Sequence, residues 1–364
     1  MSKLGDKLYV CGTNAYNPRD YLVHASNLSI SGDPTLDYLV HASNLSISGD
    51  PTLGVGGPAQ AECPFDPEDN STAIWVERGN PSDTPALYTG TATDFNKADP
   101  LIFRTELYNQ TSGQKIHEAK RTTKYDSKWL DKPNFVGSFE IGDYVYFFFR
   151  ESAVEYINCG KSIYSRVARV CKRDNGFKPA MYEKVWTTFL KARLNCSIPG
   201  EFPFYFDEIQ SIYRNPYDGR KFHAVFTTSN NGLTGSAICT FSLDAIQEAF
   251  NGKFKEQQSS TAAWLPVPSY KLNQNEPRPG SCVDDTQALS DNLVTFIRGH
   301  PLMDSAVAND NNRPVFFRRD IMFTKVVVDI IEIDGLRYTI YFVGTNTGHV
   351  YKIVEWSTAQ SMPM

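Results

Sequence analysis

For most of its length this chain reads as short runs in which aromatic or β-branched residues alternate with polar ones and then stop at a small polar turn, the period-2 pattern of half-buried strands. Five such runs are residues 8–13 (LYVCGT), 87–91 (LYTGT), 144–152 (YVYFFFRES), 223–229 (HAVFTTS) and 341–345 (YFVGT). Helical spacing is confined to two places. SLDAIQEAFNGKF (242–254) has Ser242 or Asp244 to cap it and Gly252 to stop it, and DNLVTFIRGHP (291–301) ends at Gly299 and Pro301. The proline-rich WLPVPSYKLNQNEPRPGSC (264–282) between them predicts an extended loop.

The strand runs recur. Gly12 and Gly90 lie 78 positions apart, and the chain holds a 17-residue direct duplication between them, so the underlying spacing is 61, which the next run repeats. A spacing near 60 suits a four-stranded antiparallel blade with generous loops, which makes a β-propeller the natural architecture, with a β-sandwich of irregular loops as the alternative. Regularity fails between Thr228 and Gly344, 116 positions apart, so about 55 residues are inserted there, and they hold both predicted helices.

The duplication is literal: DYLVHASNLSISGDPTL occupies 20–36 and again 37–53. Two short identical copies do not make a repeat architecture, which stacks three or more drifting units. The expectation is a loop, not a blade, in which one copy packs and the other bulges at small entropic cost.

Composition agrees with strands. Of 364 residues, 13% are aromatic, and the net charge of −5 comes with no long basic run, which argues against nucleic acid or an anionic membrane surface as partner. No apolar run is long enough to span a bilayer, and MSKLGDKLYV lacks the apolar core of a signal peptide. Seven scattered cysteines without CxxC spacing leave disulfides or free thiols rather than zinc. Sequons stand at Asn27, Asn44, Asn70, Asn109 and Asn195. Taken alone, the first residues read as cytosolic, whereas the cysteines and sequons point outside the cell, and a secreted chain missing its true N-terminus is the expectation that reconciles them.

Catalytic signatures are missing from the sequence. There is no HExxH, GxSxG, Walker loop or GxGxxG, the six histidines occur singly, and CPFDPEDNST (63–72) lacks the order of a calcium loop. We expect no enzyme, metal or cofactor.

The segments LYVCGTNAYNP, CPFDPEDNSTAIW, YDSKWLDKPNFVGSF, YVYFFFRESAVEY, RVARVC, WTTFLKARLNCS, GSAIC, EPRPGSC, HPLMD, NNRP and TKVVVD resemble the sema domain of the semaphorins, in order and over nearly the whole chain. NPRD after the first cysteine and EYINCGK look most like the secreted invertebrate class 2 proteins, with the transmembrane class 1 proteins next. The resemblance implies an all-β seven-bladed propeller carrying a small helical extrusion, approximately 242–320 here. It implies a partial domain over 1–364, covering approximately blades 2 to 6, with the first and last blades, the signal peptide and the later modules lying outside it. It also implies an extracellular axon-guidance ligand for a plexin receptor, acting as a homodimer. A sema-bearing receptor ectodomain is the alternative, and a propeller enzyme a distant third.

Residue roles follow from the same resemblance. It pairs Cys171 with Cys282 and Cys196 with Cys239, and Cys11, which lacks its usual nearby partner, is assigned to Cys63. Cys159 is then the odd cysteine, flanked by Asn158 and Gly160 in a turn, and is expected to form an intermolecular disulfide across a two-fold axis. Lys325 matches a lysine proposed at receptor interfaces. Asn70 and Asn109 are the expected glycan acceptors, followed by Asn27 and Asn44, while Asn195, with Cys196 inside its sequon, is expected to be poor.

Overall fold

The computed structural model describes residues 2–4, 7–24, 29–33, 36–41, 47–48, 58–177, 183–215, 218–229 and 233–356. Its contacts divide the chain into two units: Met1–Phe147 with Arg169–Phe189 and Leu272–Gly299, and Phe148–Ala168 with Leu190–Lys271 and His300–Met364.

In the first unit, Thr72–Val76, Ala86–Ala92, Pro100–Arg104 and Lys120–Arg121 form a four-stranded antiparallel sheet in that spatial order. Ala86–Ala92 is buried over six successive residues because both of its faces are covered, which hides the alternation expected of a half-exposed strand. Gly90 is required there. A Cβ at that position would lie 2.6 Å from the Phe135 ring. A second sheet joins Ser2–Leu4, Lys7–Gly12, Arg19–His24 and Ile47–Ser48, and Tyr9, Leu22 and Leu87 form a small buried cluster.

Polar burial in this unit is satisfied largely by main chain. Arg104, fully buried, donates from Nη1 to the Asp174 carbonyl at 2.8 Å and stacks over Trp186, whose Nε1 donates to the Ile102 carbonyl at 3.0 Å. Asp174 in turn accepts from the amides of Gly176 and Thr187 and from both threonine hydroxyls at 187 and 188. Four donors satisfy one buried carboxylate.

Among its described residues, the second unit holds two larger antiparallel sheets. Glu208–Arg214, Lys221–Thr227, Gly235–Ser242 and Phe316–Arg319 form one; Phe323–Ile333, Leu336–Thr345 and Val350–Trp356 form the other. Their facing sides share a core of Val225, Ile238, Phe323, Val326, Val328, Tyr341 and Val343. Helix Leu243–Asn251 starts at Ser242, whose hydroxyl accepts the Ala245 amide at 3.1 Å, so the cap is Ser242 and not Asp244. Asp244 pairs with Arg220 instead. Leu243, Ile246, Ala249 and Phe250 form its buried stripe. The other predicted helix, Asp291–Gly299, lies in the first unit and buries Leu293, Val294 and Ile297. Trp129 donates from Nε1 to the Arg298 carbonyl in its last turn, at 3.1 Å.

The duplicated segment departs from the expectation of one packed and one bulged copy. Arg19–His24, carrying the first copy's DYLVH, pairs with Lys7–Gly12 on one side and with the second copy's Ile47–Ser48 on the other. Between them Ser29–Asp33 and Leu36–His41 pair as a two-stranded ladder. Each copy therefore gives one strand to the sheet. The reason is that a second DYLVH is as good a strand as the first, so the extra residues pair rather than loop.

Candidate functional site

The cysteines define the framework. Cys11 is bonded to Cys63 and Cys171 to Cys282 in the first unit, and Cys196 to Cys239 in the second, with Cα atoms 5.4, 5.2 and 5.9 Å apart. The second bond ties the segment before helix Asp291–Gly299 to the end of strand Ile163–Cys171. Among the described residues Cys159 alone is a free thiol, and it is exposed.

Cys159 ends a short 3-10 turn, Val154–Cys159, which a buried charge cluster holds in place. Glu155 receives both terminal nitrogens of Arg166 at 2.6 and 2.5 Å, a bidentate pair. Arg166 also donates from Nε to Glu151 at 2.9 Å, and the Lys191 ammonium reaches the same Glu151 oxygen at 2.5 Å. Glu151, Arg166 and Lys191 are shut off from solvent. Burial pushes the Glu155 carboxyl up, but the Arg166 guanidinium outweighs it and holds the group at about 2. Burial lowers the Lys191 ammonium against the pull of Glu151. At the far end of the turn, Asn158 donates from Nδ2 to the carbonyls of Thr261 and Ala262 at 3.3 and 3.1 Å. Gly160, with φ of +133°, then turns the chain in a way that a side chain would strain. The thiol thus sits on a fixed base.

The turn and the strand that follows it expose apolar and aromatic groups. Tyr156, Ile157 and Ile163 are 40, 50 and 38% exposed, and the rings of Tyr156 and Tyr164 lie 6.2 Å apart. The Arg193 guanidinium stands 3.5 Å from the Tyr164 ring centre and 5.2 Å from that of Tyr205, with Asp207 bonded to it at 2.9 Å. Phe204 and Tyr205 are themselves exposed on the two-residue strand that pairs with Ser197–Ile198. Tyrosine and arginine in rigid contact are the residue types that dominate protein interfaces. This composition was not visible in the sequence, where Tyr156, Tyr164, Arg193 and Tyr205 are dispersed.

Lys325 lies elsewhere in the same unit. It is exposed on strand Phe323–Ile333, opposite Gly344, and strand register puts it on one face with Val327, Phe342 and Val350. That face also carries charge, since Lys352 pairs opposite Phe342 and Asp329 lies two residues beyond Val327, both exposed.

Of the sequons, Asn70 is exposed and donates from Nδ2 to the Asn134 side chain at 2.9 Å. Asn109 is exposed in a turn closed by its own Oδ1, which accepts the amides of Thr111 and Ser112, each at 2.9 Å. Asn195 is half-buried at the end of strand Leu190–Asn195, and its Oδ1 is buried with no hydrogen-bond donor. Asn27 and Asn44 lie outside the described residues. No group of three or more His, Cys, Asp or Glu side chains among the described residues could hold a metal ion. No helix among them is long and apolar enough to cross a membrane.

Comparison with known proteins adds the following. Residues 209–363 match the family model described as Sema domain. The chain is 58% identical to Semaphorin-2A of Drosophila melanogaster over 354 residues, covering 97% of this chain and 46% of that protein. The solved structure of Drosophila Semaphorin 2a superposes with a TM-score of 0.88 at 57% identity, over 98% of this chain and 54% of the other. A structure described as Drosophila Plexin A in complex with Semaphorin 1b matches with a TM-score of 0.75 at 39% identity, over 96% of this chain and 60% of the matched one. The chain spans about half the length of the curated relatives it matches.

Proposed function

The chain carries the sema-domain sequence of the semaphorin family, nearer to the 2A protein than to the 1b protein, and from that premise we propose that it is an extracellular guidance ligand that binds a plexin receptor. The similarity to a semaphorin chain solved with a plexin is the observation that carries this reading. Three disulfides support an oxidising, extracellular setting, because such bonds do not persist in a reducing cytosol. We place no catalytic step on the chain, and its work is recognition. Its sheets would form most of a seven-bladed propeller, approximately blades 2 to 6, with residues 242–320 as the extrusion. Glycans would sit on Asn70 and Asn109, whose exposed turns admit the transferase, and Lys325 is a candidate receptor contact.

In the same reading the protein acts as a homodimer, joined across a two-fold axis by Cys159 of each copy. The exposed thiol on a pinned turn amid Tyr156, Ile157 and Ile163 supports this, since a symmetric interface brings equivalent residues together near its axis. The protein secreted from insect cells is to be titrated against a panel of immobilised plexin ectodomains and run on gels without reductant. Saturable binding to a plexin, a covalent dimer band, and loss of that band in Cys159→Ser with the other three bonds intact are expected. Failure to bind any plexin would overturn the ligand reading. A wild-type monomer band would overturn the covalent dimer alone.

A further inference from the structure

The crosswise pairing of the duplicated segment has an arithmetic regularity. In the sheet, Leu22 pairs with Ser48 and Val23 with Ile47. In the two-stranded ladder, Leu39 pairs with Ser31 and Val40 with Ile30. Shifted by the 17-residue repeat, these are the same pairs, Leu with Ser and Val with Ile, made a second time with the copies exchanged. The sheet offers two strand positions, an inner one beside Lys7–Gly12 and an outer edge, and the chain holds two identical candidates for each.

The inner position distinguishes the copies. Arg19, which precedes only the first copy, pairs with Gly12 and bridges to Pro58, whereas Leu36 precedes the second. The outer position does not. Ile30–Ser31 and Ile47–Ser48 have the same residues around them, from Asp20 through Leu36 and from Asp37 through Leu53. Whichever copy sits at the edge, its local contacts with Leu22 and Val23 are the same. The two threadings differ in where the 17 surplus residues go: between the two positions, or after the edge. Loop closure weights that choice weakly, by about threefold for a doubling of loop length.

We propose that the edge strand of this sheet exchanges between Ile47–Ser48 and Ile30–Ser31, so that the folded protein is a mixture of two registers offset by the repeat. Strand register is fixed where a hydrophobic pattern or a turn selects one alignment, and an identical repeat removes that selection. Exchange needs the edge strand to detach and the ladder of Ser29–Asp33 with Leu36–His41 to open, a local event and not global unfolding. The disulfide between Cys11 and Cys63 closes a loop that contains both copies, so the rearrangement stays within one covalently bounded segment. Its consequence is that the surplus residues, with one sequon in each copy, are presented from two different points of the same sheet.

Directly opposed residues of an antiparallel pair are close enough for a disulfide, so two variants of the secreted protein test the exchange. Val23→Cys with Ile47→Cys and Val23→Cys with Ile30→Cys are each oxidised mildly and mapped as non-reduced peptides. Both bonds are expected, in yields within about tenfold of each other. Closure of the Val23 and Ile47 pair alone, or of the Val23 and Ile30 pair alone, would overturn the proposal. Proline variants provide a check if added thiols scramble the native bonds. Ile30→Pro and Ile47→Pro should each leave the melting temperature close to wild type, while the double variant falls by more than the sum. A single Ile47→Pro that melts as low as the double would equally refute exchange.

Discussion

Two surfaces of the second unit expose apolar side chains, the turn around Cys159 and the strand face around Lys325, and they are built differently. The first is a mosaic of tyrosine, isoleucine, arginine and a thiol drawn from the turn Val154–Cys159, the strands Ile163–Cys171 and Leu190–Asn195 and the two-residue strand Phe204–Tyr205, with Arg166 and its carboxylates holding the turn. The second is a sheet face, with Val327, Phe342, Val350 and Val354 set at strand spacing and 54, 40, 71 and 38% exposed. Its opposite side supplies Val326, Val328, Tyr341 and Val343 to the core. A mosaic of tyrosines with a stacked arginine has the composition of a binding surface, whereas a largely aliphatic strand face, even one carrying Lys325, Lys352 and Asp329, also suits packing. Cys159 therefore sits where association is expected, and Lys325 sits in a setting that suits packing at least as well as receptor contact.

The largest effect should come from the support of the mosaic. Arg166→Ala leaves Glu151 and Glu155 buried without their guanidinium, and removing one partner of a buried ionic cluster costs about 3–5 kcal/mol. Chemical denaturation of the secreted variant measures this. A loss below about 1 kcal/mol would mean that the turn does not depend on the cluster, and the contrast between a pinned and an unpinned surface would fail. Acid tests the same support. Glu155 is held at about 2, below its unfolded value, so its contribution is complete above the unfolded carboxylate range and is lost as pH falls toward 2.

Next comes the covered side of the strand sheet. His223 is buried, and its Nδ1 lies 3.2 Å from the Tyr341 hydroxyl, which donates to Glu355 at 2.8 Å. Because that hydroxyl gives its one proton to Glu355, His223 donates to it from Nδ1. Burial, reinforced by Lys221, lowers the imidazole to about 4. The unfolded chain binds this proton first, so stability is complete above about 6.5 and declines as pH falls through 6.5 toward 4. His223→Phe, which keeps the ring volume and cannot be protonated, should flatten the melting curve across that window by on the order of 2–3 kcal/mol. An unchanged pH profile would show that the two sheets do not enclose the histidine in solution.

Much of this was legible in the sequence because it is local. The strand at Tyr144–Ser152 and the helix stop at Gly252 follow from alternation and capping, both of which act over a few residues. Cys159 in a turn was also readable, since Asn158 and Gly160 flank it. Local pattern does not give contacts assembled across distance, and the three disulfide pairs were expected only through the family resemblance. The Arg193 guanidinium between two tyrosine rings joins residues 164, 193 and 205, and no spacing rule connects them. The duplicated segment misled for a physical reason: pattern shows that DYLVH is a strand, but with two copies it does not say which one pairs where.

The smallest expected effect concerns Lys325, and it sharpens the contrast most directly. A receptor contact and a packing-face lysine respond differently to charge and to shape. In the first case Lys325→Asp slows association and makes plexin binding less sensitive to salt, because a steering charge has been reversed, while Val327→Ala one pair of residues away leaves affinity alone. In the second case Val327→Ala lowers the yield and melting temperature of the secreted protein, because a methyl-lined contact is lost, and Lys325→Asp acts through the same stability loss. The proposed contact predicts that Lys325→Asp weakens plexin binding by more than the roughly twofold change of an ordinary surface substitution, with melting unchanged. Surface plasmon resonance at two salt concentrations, beside a thermal melt of each variant, separates the cases. Plexin affinity unaltered by Lys325→Asp, together with a lowered melt for Val327→Ala, would assign the whole strand face to packing and leave the mosaic around Cys159 as the association surface of this unit.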